Sequence, residues 1–113
     1  MTTFKKTLLI DLDGVLNEYE GKFDKTFIPK PRVGVREFLK KLSNNYELIL
    51  YTTRNKLLAS KWLVEHDLDK YFSDITNIKE LSYLTIDDRC LKFQGDYQKL
   101  ISEIEDFKPW YRN

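Results

Sequence analysis

Carboxylates, hydroxyls and one ammonium recur in this sequence at the ends of short apolar runs. Asp11 and Asp13 follow Thr7-Leu8-Leu9-Ile10 and precede Gly14. Thr52 and Thr53 follow Leu48-Ile49-Leu50-Tyr51. Asp87 and Asp88 end the run from Tyr83 to Ile86, and Lys79 lies just ahead of it. Carboxylates at the end of a buried strand are costly unless something pairs with them, usually a cation. Several acidic groups crowded together repel one another, so a bound divalent ion is the natural solution. Oxygen ligands with no His or Cys among them point to Mg²⁺. A hydroxyl and an ammonium beside that ion suit a phosphoryl group, whose equatorial oxygens need hydrogen bonds and positive charge. No glycine-rich phosphate loop is present, which excludes a P-loop nucleotide site. Asp-x-Asp-Gly by itself reads equally well as a strand followed by an acidic turn. The constellation carries the chemistry, not the one motif.

The elements that would position these groups alternate. Residues 7–12 read as a central parallel strand buried on both faces. Gly14 supplies the backbone freedom to turn away, so Asp11 and Asp13 can face one small volume. Residues 17–32 carry Tyr19, Phe23 and Phe27 around Gly21 and suit a small β-hairpin, ended by Pro29 and Pro31. Val35, Phe38, Leu39 and Leu42 recur at helical spacing, predicting a helix over 33–43. Residues 46–53 read as a second buried strand. Asn55 can cap the next helix, with Leu58, Trp62 and Leu63 on its apolar side and a stop after Leu68. Short strands are expected over 72–78 and 83–86, an extended piece near 91–93, and a last helix over 96–107. Strand and helix in alternation argue for a parallel sheet covered on both faces. Ligands bind such sheets beyond the carboxyl ends of the strands, where the three polar groups lie.

Bulk properties bound the partners. The chain has 113 residues, 42% hydrophobic and 33% charged, which fits one folded domain rather than a disordered segment. A net charge of +1 gives no electrostatic ground for a nucleic-acid or membrane partner, leaving nucleic acid only as a substrate. Cys90 is the single cysteine, so no intrachain disulfide can form, as in a reducing compartment. The apolar stretch after Lys5 and Lys6 is too short for a secretory signal, and no run approaches the roughly 20 residues of a membrane span. These features lead to the expectation of a cytoplasmic domain over residues 1–113, monomeric or homodimeric.

Four of these stretches, in order, resemble the motifs of the haloacid dehalogenase superfamily, in its phosphatase form. Asp11-Leu12-Asp13-Gly14-Val15-Leu16 is similar to the first motif, Thr52 to the second and Lys79 to the third. Ile86-Asp87-Asp88-Arg89 is similar to a double-Asp fourth motif, so the resemblance spans residues 7–95. Tyr51-Thr52-Thr53-Arg54 and the fourth motif look most like those of polynucleotide phosphatases, deoxyribonucleotidases and small bacterial or phage phosphatases. The resemblance implies a Rossmann-like three-layer α/β sandwich with strand order 5-4-1-2-3. It also implies a Mg²⁺-dependent phosphomonoester hydrolase. Asp11 would be the nucleophile that forms an aspartyl-phosphate, and Asp13 the general acid and base. Mg²⁺ would be held by Asp11, the backbone carbonyl of Asp13 and the fourth motif, with Asp88 direct and Asp87 behind it. Thr52, Thr53 and Lys79 would bind the phosphoryl oxygens. Family members often carry a cap domain, but neither insertion point has room for one here, so the 17–32 segment is the expected flap. The substrate, small molecule or macromolecular end, stays open.

The other conspicuous residues have plainer readings. Arg54 can support the site or substrate, or be a solvated loop residue; Arg89 can brace the Asp pair. Cys90 fits a packed small hydrophobe, His66 a surface position and Trp62 a helical core stripe. Trp110 and Tyr111 fold back on the body or meet a second subunit. Two other functions compete with the phosphatase. A receiver-like signalling domain also surrounds a phospho-Asp with acids, Thr and Lys, but there the Lys comes last in the chain. A catalytically silent scaffold would keep the fold, yet here every motif position holds a competent residue. Phosphate release from an aryl phosphate, with and without Mg²⁺, separates the three.

Overall fold

A computed structural model describes residues 5–78, 84–86 and 95–106 of the chain. Four strands form one parallel sheet: β1 (Lys6–Asp11), β2 (Tyr46–Tyr51), β3 (Asp74–Thr76) and β4 (Leu84–Ile86), in the order β3-β2-β1-β4. Three helices accompany them: α1 (Val35–Ser43), α2 (Lys56–Glu65) and α3 (Tyr97–Asp106). β1 is interior, paired with β2 from Lys6↔Tyr46 to Asp11↔Tyr51 and with β4 from Leu8↔Leu84 to Ile10↔Ile86. The expected order 5-4-1-2-3 therefore holds for four neighbours, and the piece near 91–93 expected as the fifth strand lies outside the described residues.

Sequence pattern explains how these elements pack. Leu8 and Ile10 on β1, paired with Leu48 and Leu50 on β2, join Val35, Phe38, Leu39 and Leu42 of α1 in one apolar cluster. Ala59, Trp62 and Leu63 of α2 and Leu100, Ile101 and Ile104 of α3 belong to the same cluster. Full burial of each such Leu or Phe contributes roughly 1.5–3 kcal/mol. Phe38 also stacks on Tyr97, with ring centroids 4.4 Å apart, and so ties α1 to α3. Alternation turns Leu9 to the opposite face of β1, and it too is fully buried. Both faces of the central strand are covered, as its unbroken apolar run requires.

Helix ends follow their local chemistry. Asn55 caps α2 through its side-chain oxygen, which accepts from the Leu57 and Leu58 amides at 2.9 and 3.2 Å. The helix stops in a Schellman arrangement. The Leu68 amide donates to the Leu63 carbonyl and the Asp67 amide to the Val64 carbonyl, with Asp67 left-handed at φ 58°. α1 has no side-chain cap and instead starts after Gly34, whose φ of 88° favours glycine.

Three expectations need correction. Residues 17–32 form no β-hairpin: a single antiparallel bridge, Asn17↔Pro31, closes the base of an irregular loop. Pro29 and Pro31 have no amide to donate to a ladder, and the tip is built as a turn around Asp24. The second strand ends at Tyr51 rather than Thr53: the Thr52 amide makes the last bond to β3, donating to the Thr76 carbonyl at 3.0 Å, and the Thr52 hydroxyl then closes a turn by accepting from the Arg54 amide. The third strand is confined to Asp74–Thr76. On one side a 3-10 turn over Asp69–Tyr71 precedes it; on the other Thr76 Oγ1 bonds both the amide and the carbonyl of Ile78.

Candidate active site

Asp11 is the last residue of β1 and is half-buried. The chain continues one step further along β2, the Leu12 amide donating to the Tyr51 carbonyl at 3.1 Å. It then coils, the Leu16 amide donating to the Leu12 carbonyl at 3.0 Å, with Gly14 left-handed at φ 88°. This tight turn lifts Asp13 over the carboxyl end of the sheet. Thr52 stands at the end of the neighbouring β2, fully buried, where its Oγ1 accepts from the Arg54 amide at 3.0 Å. Thr53 is exposed.

The Asp13 carboxylate is held from two directions. Arg54 Nε donates to both of its oxygens, at 3.2 Å to Oδ1 and 3.0 Å to Oδ2, and Nη2 donates to Oδ1 at 3.1 Å. Asn17 Nδ2 adds the carboxylate's fourth hydrogen bond, the third on Oδ1, at 3.0 Å. Among the described residues Oδ2 accepts from Arg54 Nε alone, so it is the oxygen with room for a transferring proton. Asn17 is itself locked, its Oδ1 accepting from the amides of Gly14 at 3.0 Å and Tyr19 at 3.2 Å. Neither support is a solvated loop residue: the Arg54 side chain is 1% exposed and Asn17 is completely buried.

Arg54 also grips the 17–32 loop. Nη1 donates to the Asp24 carbonyl at 2.6 Å, and the guanidinium lies over the Phe23 ring, 4.6 Å from its centroid. The same Asp24 carbonyl accepts from the Phe27 amide, while the Asp24 carboxylate accepts from the Thr26 amide and hydroxyl. The Thr26 hydroxyl, then its amide, hold the Asp24 carboxyl below the usual carboxylate range. Further along the loop, the Pro29 carbonyl accepts from Trp62 Nε1 at 3.1 Å. Trp62 is core, as expected, and His66 is half-buried with its ring against Trp62.

The structure thus places Asp11, Asp13, Thr52 and Arg54 of the sequence-derived set at this end of the sheet, and adds Asn17 to them. Lys79, Asp87, Asp88 and Arg89 lie outside the described residues, as do Cys90, Trp110 and Tyr111. Asn17 had a signal that could have been read: a short polar side chain just past Asp-x-Asp-Gly-Val-Leu can close a turn onto its own backbone. Arg54 was visible as a candidate, but nothing in its neighbours distinguished a buried clasp from a surface residue. Among the described residues no group of three or more His, Cys, Asp or Glu converges, and no helix is long and apolar enough to cross a membrane.

A strand-end carboxylate, a second carboxylate two residues on and a buried threonine on the next strand agree with what comparison of the whole chain finds. Residues 6–110 match the family model described as NLI interacting factor-like phosphatase. The chain belongs to this family. It is a phosphatase family of the haloacid dehalogenase superfamily, so the resemblance carried by the four motifs holds at that level. No curated protein and no solved structure matches the chain. Within the matched region, Asp11 ends the first strand, Asp13 sits on the turn after it, and Thr52 directly follows the second.

Proposed function

We propose that the chain is a Mg²⁺-dependent phosphomonoester hydrolase that works through an aspartyl-phosphate on Asp11. The observation that carries this is the division of labour between its two acids. Asp11 ends the interior strand, whereas Asp13, two residues on, is clamped by Arg54 and Asn17 with one oxygen turned to a single donor. A nucleophile and a positioned acid are what phosphoryl transfer in two steps needs.

In the first step an Asp11 oxygen attacks phosphorus and the ester P–O bond breaks, the departing oxygen taking the proton from Asp13. In the second, Asp13, now a carboxylate, takes a proton from water as that water attacks phosphorus. The P–O bond to Asp11 breaks, and inorganic phosphate and the free carboxylate result. Thr52, with its Oγ1 lone pair committed to the Arg54 amide, keeps its hydroxyl proton for a phosphoryl oxygen. Lys79 would place positive charge on the same oxygens, and Thr53 stands at the rim.

The residues fit a hard divalent ion, since every acidic candidate offers oxygen. Asp11 and Asp88 would supply carboxylates, with Asp87 behind. Residue 13 would contribute its backbone carbonyl, because its carboxylate is taken by Arg54 and Asn17. When bound, the ion supplies charge that offsets the repulsion between Asp11 and the phosphoryl oxygens. With an irregular loop rather than a domain after the first motif, the site suits bulky phosphoesters as well as small ones.

Phosphate release from p-nitrophenyl phosphate tests the reading. Wild type with Mg²⁺ should turn over, while chelated wild type and Asp11→Asn should fall to background. Equal turnover in wild type and Asp11→Asn would overturn it.

A further inference from the structure

The geometry points to Arg54 as a positioning residue that couples the 17–32 loop to the acid–base step: contact between substrate and the Phe23–Asp24 tip sets Arg54, and Arg54 sets Asp13. The inference rests on the phosphatase reading and goes beyond it, because it assigns a task to a residue and a loop that the two-step chemistry does not require.

The first support is geometric. All three guanidinium nitrogens of Arg54 have partners: Nε and Nη2 on Asp13, Nη1 on the Asp24 carbonyl. With its side chain 1% exposed, Arg54 has no face left for a phosphoryl oxygen. It therefore acts through Asp13 rather than on substrate. The second support is the loop tip. Phe23 carries the guanidinium over one ring face and is 54% exposed, so the rest of the ring is open to whatever enters the site. Phe27 beside it is 62% exposed. Two exposed aromatics on a loop whose backbone is bonded to a buried arginine form a contact surface with a direct line to the acid. The third is the asymmetry of the tether. Asp24 is fixed within its own turn by Thr26, and Trp62 fixes the loop further on at Pro29. The tip is thus internally bonded, and Arg54 attaches it to the sheet end. Arginine is suited to this, since its planar fork can bind a carboxylate side-on and a carbonyl end-on while stacking on an aromatic ring.

The consequence is selective. Phosphorylation of Asp11 by an activated aryl phosphate needs no proton on the leaving oxygen, whereas an alkyl phosphate does. Disturbing Arg54 should therefore damage turnover of alkyl phosphates and the hydrolysis of the aspartyl-phosphate, and spare its formation from activated esters. A role in stability alone would lower all of these together.

The experiment compares wild type, Arg54→Lys, Arg54→Gln and Phe23→Ala on 2,4-dinitrophenyl phosphate and on a simple alkyl phosphate. Folding is checked by circular dichroism, and the phosphoenzyme is followed by intact mass. For both Arg54 variants kcat on the alkyl ester should fall by about 10²-fold, the scale of general acid–base catalysis. Phosphoenzyme formation from the dinitrophenyl ester should stay within a few-fold of wild type, and the phosphoenzyme should accumulate. Lysine should not rescue, because it cannot bind side-on. Phe23→Ala, at an exposed position that does not threaten the fold, should lower alkyl-ester kcat by about two- to fivefold, the size of one cation–π contact. Any loss of the ring's own contact with substrate falls on both esters, so in the same variant phosphoenzyme formation from the activated ester should fall less than formation from the alkyl ester. Equal losses in the rate of phosphoenzyme formation from the two esters, in the Arg54 variants or in Phe23→Ala, would overturn the coupling while leaving the phosphatase reading intact. A wild type inactive on both esters would overturn that reading and the coupling with it.

Discussion

Replacing Asn17 by alanine should cost far more stability than an ordinary polar-to-alanine change. The side chain is completely buried and makes three hydrogen bonds: it accepts from the Gly14 and Tyr19 amides and donates to Asp13 Oδ1. Alanine leaves two amides of the turn without that acceptor, each worth about 1 kcal/mol where water can partly enter and up to about 3 where it cannot. The bond to the Asp13 carboxylate, a charged partner, adds about 1.5 kcal/mol. Because these groups share one turn and the losses overlap, the expected total is about 2–4 kcal/mol. Against a typical domain stability of about 5–15 kcal/mol this is large. Urea unfolding followed by tryptophan fluorescence measures it, with an m-value unchanged between wild type and variant. A shift smaller than about 0.5 kcal/mol, the range of surface substitutions, would refute the claim that Asn17 organises the turn carrying Asp13.

Other outcomes are equally specific. Burial holds the Tyr97 phenol well above its ordinary value of 10.0, while its hydroxyl donates to the Val15 carbonyl. The unfolded chain loses that proton first, so the contribution is fully present below about pH 10 and declines as pH rises toward the native pKa. Tyr97→Phe should therefore lose less stability than wild type on going from about pH 9 to 11, and parallel pH profiles would contradict this. Trp62→Phe removes the bond to the Pro29 carbonyl and should cost about 1 kcal/mol in urea unfolding; no measurable cost would show that the loop is anchored elsewhere. With the loop as its roof, the enzyme should process phosphorylated oligomer ends with specificity constants at least equal to those for sugar phosphates. A preference of orders of magnitude for the small class, in a monomer, would contradict that.

Much of the fold was legible because it rests on periodicity. The four apolar runs became strands, Asn55 capped its helix as its type suggests, and β1 is interior as an uninterrupted Leu-Leu-Ile run requires. Asp11, Asp13 and Thr52 were legible for a related reason: polar groups directly after buried runs fall at strand ends, and parallel strands end on one side. The loop was not. Aromatics flanking a glycine satisfy a hairpin pattern, but Pro29 and Pro31 remove the donors a ladder needs, and a buried arginine from a distant segment then decides the tip's shape. Asn17 was missed, and Arg54 was a candidate whose role stayed open, because the importance of both is tertiary. Each is ordinary among its sequence neighbours, and the partner that buries Arg54 lies 41 residues away.

The most direct test of the central claim is to trap the phosphoenzyme. Wild type is mixed with 2,4-dinitrophenyl phosphate and Mg²⁺, quenched with borohydride, which reduces an acyl phosphate to the alcohol, and digested for mass-spectrometric mapping. If Asp11 is the nucleophile, the reduced side chain appears at residue 11 in wild type and is absent from Asp11→Asn. Reduction at any other residue, or steady phosphate release with no trapped residue in wild type and undiminished rates in Asp11→Asn, would contradict it.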